Sequence, residues 1–133
     1  MFIRGRLVRG AYQNVCMKEQ LPRNISAEDL KIWLLKDPLK PILIDVREDQ
    51  ELRIAAFPSE VVHLPLSESL NWAESYSSKL IVEKPVVVLC HSGIRSLNFC
   101  SWLLKQDLHY EVWNLQGGID AWSELVDSSV PRY

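Results

Sequence analysis

The chain has 133 residues, with 15 Lys and Arg against 17 Asp and Glu, and 47% of its residues are hydrophobic. That length fits one soluble domain whose core needs neither disulfide nor metal support, so stapled miniprotein classes are excluded. A net charge of -2 lacks the global basic field of a general nucleic-acid binder, and no run approaches the roughly 18 apolar residues of a membrane span. Neither nucleic acid nor membrane is expected as a partner.

Residues 1–23 differ from the rest. Arg4, Arg6, Arg9, Lys18 and Arg23 stand there against Glu19 alone, a net +4 that leaves -6 for residues 24–133. The arginines interrupt every apolar stretch, which excludes a secretory signal. The segment is also poor in Ser, so an N-terminal flexible extension is preferred to an organelle transit peptide. Residues 24–133 are then expected to be the folded domain. Cys16, Cys90 and Cys100 are odd in number and show no C-x-x-C spacing, which argues against a disulfide framework or a structural zinc site. A reducing cytoplasm is the expected location.

From residue 24 onward, strand-length apolar runs alternate with amphipathic stretches, the pattern of α/β architecture. Ser26 reads as the N-cap of a helix carrying Leu30, Trp33 and Leu34, with Glu28 and Asp29 in its first turn and Asp37-Pro38 at its end. Ile42-Leu43-Ile44, Val61 to Leu64 (stopped by Pro65) and Val86 to Leu89 read as parallel strands buried on both faces. Ser67 to Tyr76 and Ser96 to Leu108 are predicted helices, and Val112-Trp113-Asn114 is a further short strand. Gly117-Gly118 opens a last helix through Ile119, Trp122 and Leu125. Right-handed crossovers then give an open sheet whose chemistry gathers at the carboxyl ends of its strands.

One junction combines a strand end, a nucleophile and a helix start. The strand ending at Leu89 runs into Cys90-His91-Ser92-Gly93-Ile94-Arg95-Ser96, and a helical pattern with Leu97, Cys100 and Leu104 follows at once. A thiol at a helix N-terminus meets unpaired N–H groups and the positive end of the helix dipole. Both favour thiolate, and the pKa is expected to fall below its usual value of about 8.5. Gly93 lets the loop curl into an anion-binding nest, and Arg95 adds a cation at the rim.

The loop CHSGIRS resembles the active-site loop of single-domain rhodanese-like sulfurtransferases. LIDVRE (Leu43 to Glu48), VVHLPLSE (Val61 to Glu68) and NLQGGIDAW (Asn114 to Trp122) resemble further signatures of that family, in its order and spacing, and the likeness runs from about residue 24 to 127. AAFPSE (Ala55 to Glu60) departs from the family's usual Gly-His-Ile-Pro-Gly turn. The resemblance implies a three-layer α/β fold, an open parallel sheet of about five strands flanked by helices. It implies Cys90 as sulfur carrier, His91, Ser92, Gly93, Ile94, Arg95 and Ser96 as the substrate cradle, and Asp45 and Arg47 as supporting residues. On that reading the donor is a small thiosulfate-like molecule, and the acceptor is cyanide or a thiol, small or on a protein. No metal and no organic cofactor is expected.

Arg95 is expected either to attract the anionic donor or to fold inward onto loop carbonyls. The Asp45–Arg47 pair suits either substrate or an ion pair that buttresses the loop. His91 reads as a solvated loop residue rather than a general base, because transfer from a thiolate removes no proton. The sequence alone identifies no partner for His63 or His109, Cys100 reads as core, and the five Trp are too scattered for a stacking platform. Two rival functions remain. A cysteine phosphatase or arsenate reductase closes its loop with five residues between Cys and Arg, whereas four stand here. A non-catalytic interaction module commonly lacks the cysteine, which this chain retains.

Overall fold

The computed structural model describes residues 21–80, 84–106 and 109–133. Five strands, β1 (Arg23–Ile25), β2 (Ile42–Asp45), β3 (Val62–His63), β4 (Val86–Leu89) and β5 (Val112–Leu115), form one sheet in the order β1-β5-β4-β2-β3. All four neighbouring pairs are parallel. The connection leaving β2 runs outward to β3, whereas that leaving β4 runs the other way to β5. The strand order therefore reverses between β2 and β4, and the crevice beyond their carboxyl ends is where ligands of open α/β sheets collect.

The two faces of the sheet follow from the twofold alternation of strand side chains. Val86, Val88 and Cys90 join one core with Ile44, Leu64, Trp72, Phe99, Cys100 and Leu103, while Val87 and Leu89 join the other with Leu30, Trp33, Trp113, Ile119 and Trp122. Helix α4 (Ile94–Gln106) covers the first face; α1 (Ala27–Lys36) and α5 (Gly118–Leu125) cover the second. With both faces covered, every residue of β4 and β5 is buried. Ser26 caps α1 by accepting from the Asp29 N–H at 3.1 Å, and the helix ends at Lys36, before Asp37-Pro38, as expected.

Several elements differ from the sequence reading. Ser67 to Tyr76 is not one helix but a 3-10 turn (Leu66–Glu68), a single turn α3 (Ser69–Trp72) and a second 3-10 turn (Tyr76–Lys79). Its apolar residues do not share one face: Trp72 and Tyr76 are buried, but Leu70 is 96% exposed. The segment is held instead by the indole of Trp72, which donates to the Pro65 carbonyl at 2.8 Å. β3 is shorter than predicted and only half-buried, because it is an edge strand between Pro58 and Pro65 and pairs with β2 alone. Helix α4 starts at Ile94, two residues early, and Leu97 faces outward while Phe99, Cys100 and Leu103 face the core. Leu108 and Cys16 lie outside the described residues.

Two elements were not anticipated by residue pattern. β1 takes in Arg23 and pairs with β5, and α2 (Asp49–Ile54) buries none of its residues but closes a capping box between Glu48 and Glu51. Among the described residues, no helix is long and apolar enough to cross a membrane.

Candidate active site

Cys90 follows the last residue of β4 and is 1% exposed. The chain then turns back at Gly93, whose φ of +101° lies where only glycine is unstrained. That turn aims the Gly93 N–H at the Cys90 sulfur, 3.1 Å away, and α4 begins at the next residue. Ser96, in the first turn of α4 and fully buried, brings its Oγ to 3.3 Å from the same sulfur. Ser92 and Ile94 face outward, and His91 and Arg95 are half-buried.

Behind the loop stands the N-terminus of α5. The Ile119 and Asp120 N–H groups donate to the carbonyls of Cys90 and His91 at 2.8 and 3.1 Å. This close approach requires glycine at position 118, where a Cβ would lie 2.4–2.5 Å from the carbonyl oxygens of His91 and Cys90. Loop carbonyls thus face α5, and the Gly93 N–H faces the sulfur.

The flank toward β2 carries two ion pairs. Asp45 and Arg47 are both fully buried and meet through Nε and Nη2, the latter at 2.7 Å. The Asp45 carboxylate also accepts from the Arg47 backbone N–H at 3.0 Å. Burial would lower the Arg47 pKa, but the hydrogen bonds to Asp45 and Tyr133 outweigh it and the net shift is upward. A pair so enclosed buttresses the strand end. Arg95 holds Glu51 through two parallel bonds of 2.8 Å, and these hold the Glu51 carboxyl down at about 2 against the opposing effect of burial. Arg95 thus turns to the Glu51 carboxylate of α2, where loop carbonyls were the inward partner expected.

Tyr133 joins the pairs. Its hydroxyl accepts from Arg47 and donates to Glu51, each at 3.1 Å, and its ring stacks on His91 with centroids 4.1 Å apart. His91 is therefore less solvated than expected. His63, whose partner could not be identified from the sequence, has its Nε2 at 2.7 Å from the Arg47 carbonyl oxygen. On the opposite flank lies Asn114 of β5, 3% exposed, which bonds to Ser96, to the Gly93 carbonyl and to Asn24 of β1. Glu51, Asn114 and Tyr133 were missed by sequence reasoning. Asn114 carried a signal as the one polar residue in its buried strand, and Glu51 carried one for a helix start in the Glu48-x-x-Glu51 spacing.

Beside the loop an open recess of about 320 Å³ is walled by Leu66, Trp72, Phe99 and Trp102, with Arg95 at its edge. Among the described residues, no group of His, Cys, Asp and Glu is arranged to hold a metal ion.

Residues 26–125 match the family described as the Rhodanese-like domain. The chain belongs to the rhodanese-like family. It is 38% identical over 135 residues to the Rhodanese-like/PpiC domain-containing protein 12, chloroplastic, of Arabidopsis thaliana, covering 98% of this chain but 44% of that protein. The thiosulfate sulfurtransferase GlpE of Coxiella burnetii is 32% identical over 93 residues, 70% of this chain and 81% of its own length. The putative sulfurtransferase YtwF of Bacillus subtilis is 35% identical over 80 residues, 60% of this chain and 71% of its own length. The chain thus spans under half of the Arabidopsis relative. At the level of fold, the Staphylococcus aureus rhodanese-like domain protein superposes with a TM-score of 0.64 at 21% identity, covering 84% of this chain and 98% of that one. The rhodanese-like domain is thus one whose relatives include named sulfurtransferases, which supports a rhodanese-type transferase at the level of the family.

Proposed function

We propose that this rhodanese-like domain transfers a sulfane sulfur through a persulfide on Cys90. The Cys90 thiolate attacks the outer sulfur of a thiosulfate-like donor; the new S–S bond forms as the donor's S–S bond breaks, and sulfite leaves with the electron pair of the broken bond. The terminal persulfide sulfur then carries the negative charge. In the second half-reaction a nucleophile, cyanide in the assay or a thiolate in the cell, attacks that terminal sulfur and Cys90 departs as thiolate. From the Cys90 thiolate onward no proton is removed in either step, so His91 has no acid-base task in the transfer itself.

The observation that carries this reading is the Gly93 N–H aimed at the Cys90 sulfur at 3.1 Å, at the mouth of a 13-residue helix. Backbone donors fixed in a water-poor cup stabilise an anionic sulfur without rearranging, the same device that stabilises developing oxyanions. Arg95 braces the loop through Glu51 rather than seizing the donor. The recess beside Arg95 gives room for the organic part of a thiol acceptor. A reducing compartment, the cytoplasm by default, suits a site that cycles through a free thiolate.

With four residues between Cys90 and Arg95, the cup is narrow for a phosphoryl group, which argues against the phosphatase alternative. Retention of Cys90 argues against a purely non-catalytic module. The test is steady-state thiosulfate:cyanide sulfurtransferase activity beside turnover of a generic aryl phosphate. Sulfur transfer that disappears in Cys90→Ser, with negligible phosphate turnover, is the expected result; phosphate turnover without sulfur transfer would reverse the assignment.

A further inference from the structure

Asn114 stands on the sheet face that carries Cys90, next to Val88 of β4. A carboxamide at such a position is costly unless every polar atom is satisfied. Here the Nδ2 group donates to the Gly93 carbonyl at 3.2 Å and to Asn24 Oδ1 at 3.0 Å. A backbone carbonyl only accepts, so the orientation of the amide is determined by Gly93, and Oδ1 is the atom that faces Ser96. Oδ1 has no proton, so the Ser96 hydroxyl must donate to it, at 2.5 Å. A hydroxyl has one proton. Toward Cys90, 3.3 Å away, Ser96 is left with a lone pair alone.

We propose that Asn114 is a positioning residue for Cys90: by claiming the single proton of Ser96, it makes that hydroxyl an acceptor for the Cys90 S–H and so restrains the resting thiol. The two contacts on the sulfur then oppose each other. The Gly93 N–H favours thiolate, and Ser96, as oriented by Asn114, favours thiol. The chain of bonds ends at an amide that takes up no proton, so it orients the thiol and does not deprotonate it. This deepens the proposed function and rests on Cys90 as the reacting thiol. Two ionisable groups among the described residues that interact electrostatically with Cys90 are Arg95, held by Glu51, and Cys100, kept a thiol by burial. Neither touches Ser96 or Asn114 in a described hydrogen bond, so their contributions are common to all the variants below.

The test follows the ultraviolet absorbance of the Cys90 thiolate across pH in the intact chain, each variant read against the same variant carrying Cys90→Ser, with no sulfur donor present. Ser96→Ala removes an acceptor for the S–H, so its titration should move to lower pH, with a few-fold more thiolate at any pH on the rising limb, the size of one neutral hydrogen bond. Asn114→Leu frees the Ser96 proton to turn onto the sulfur and should move the titration the same way and further. In the double variant the part of that extra shift carried by Ser96 should vanish, leaving only what the lost bond to the Gly93 carbonyl contributes; an Asn114 that acts solely through Gly93 or the fold would shift the titration equally with and without Ser96. A Ser96→Ala titration that is unchanged, or moves to higher pH, overturns the proposal, and that variant decides the sign even if Asn114→Leu fails to fold. Because no donor is present, absent sulfur transfer counts against the proposed function and leaves this test intact.

Discussion

Cys90 and Cys100 are two thiols on one loop-and-helix segment, 1% and 0% exposed, in the same apolar core. Burial alone does not distinguish them. Cys100 lies in the second turn of α4, where backbone N–H groups are occupied within the helix; desolvation pushes its thiol well above the usual range, and its one described partner is the Trp113 carbonyl at 3.6 Å. Cys90 lies before the helix, where amides still lack helical partners. It receives the Gly93 N–H and faces a hydroxyl. The difference between the thiol proposed as nucleophile and the thiol of the core is thus the supply of a backbone donor, set by which side of a helix start the residue occupies.

The largest expected effect tests that contrast at its centre. Cys90→Ser should abolish thiosulfate:cyanide sulfurtransferase activity in a protein with an unchanged circular dichroism spectrum. Appreciable residual turnover would move the chemistry elsewhere.

Gly118→Ala sharpens the claim that loop geometry, not the thiol alone, makes Cys90 reactive. The added Cβ meets backbone atoms of Cys90 and His91, at a φ of +62°. Moving the loop by about 1 Å should cost on the order of a hundredfold in rate, and thermal unfolding should register a loss of about 2 kcal/mol or more. Normal rates in this variant would separate reactivity from loop placement.

The Arg95–Glu51 brace should matter less, because Arg95 is 37% exposed and water weakens such pairs. Glu51→Gln should reduce sulfur transfer about tenfold, as loop positioning loosens. Glu51 ionises near 2 in the folded chain against 4.5 ordinarily. Its folded value is depressed, so its stabilisation is fully present above 4.5 and is lost as pH falls toward 2. The stability difference between wild type and Glu51→Gln in urea should therefore be largest at neutral pH and shrink across that interval. A difference independent of pH would mean that the carboxylate charge is not what holds Arg95.

The smallest effect belongs to the other thiol. Cys100→Ala should keep nearly full activity while costing about 1 kcal/mol of stability from the space left in the core.

Much of this was legible in the sequence where local chemistry and function coincide. The run Val86 to Leu89, the glycine at 93 and the pair Gly117-Gly118 each impose their conformation within a few residues, and Cys90 inherits its position from them. β1 was not legible from pattern, since Arg23-Asn24-Ile25 becomes a strand only by pairing with β5. Nor was α2, which buries nothing and is held by its capping box. Its Glu-x-x-Glu spacing was nevertheless present. The partners of the loop were out of reach for a different reason: Arg95 finds Glu51 44 positions away and Asn114 finds Asn24 90 positions away. Such pairings depend on strand order, which short-range periodicity does not encode.

Mass spectrometry of the chain after mixing with thiosulfate and removing excess donor addresses the central claim most directly. The account predicts a gain of one sulfur atom, carried by the peptide containing Cys90 and not by Cys100, absent in Cys90→Ser and discharged by cyanide. No gain in mass by the wild type, or a gain that persists in Cys90→Ser, would contradict it.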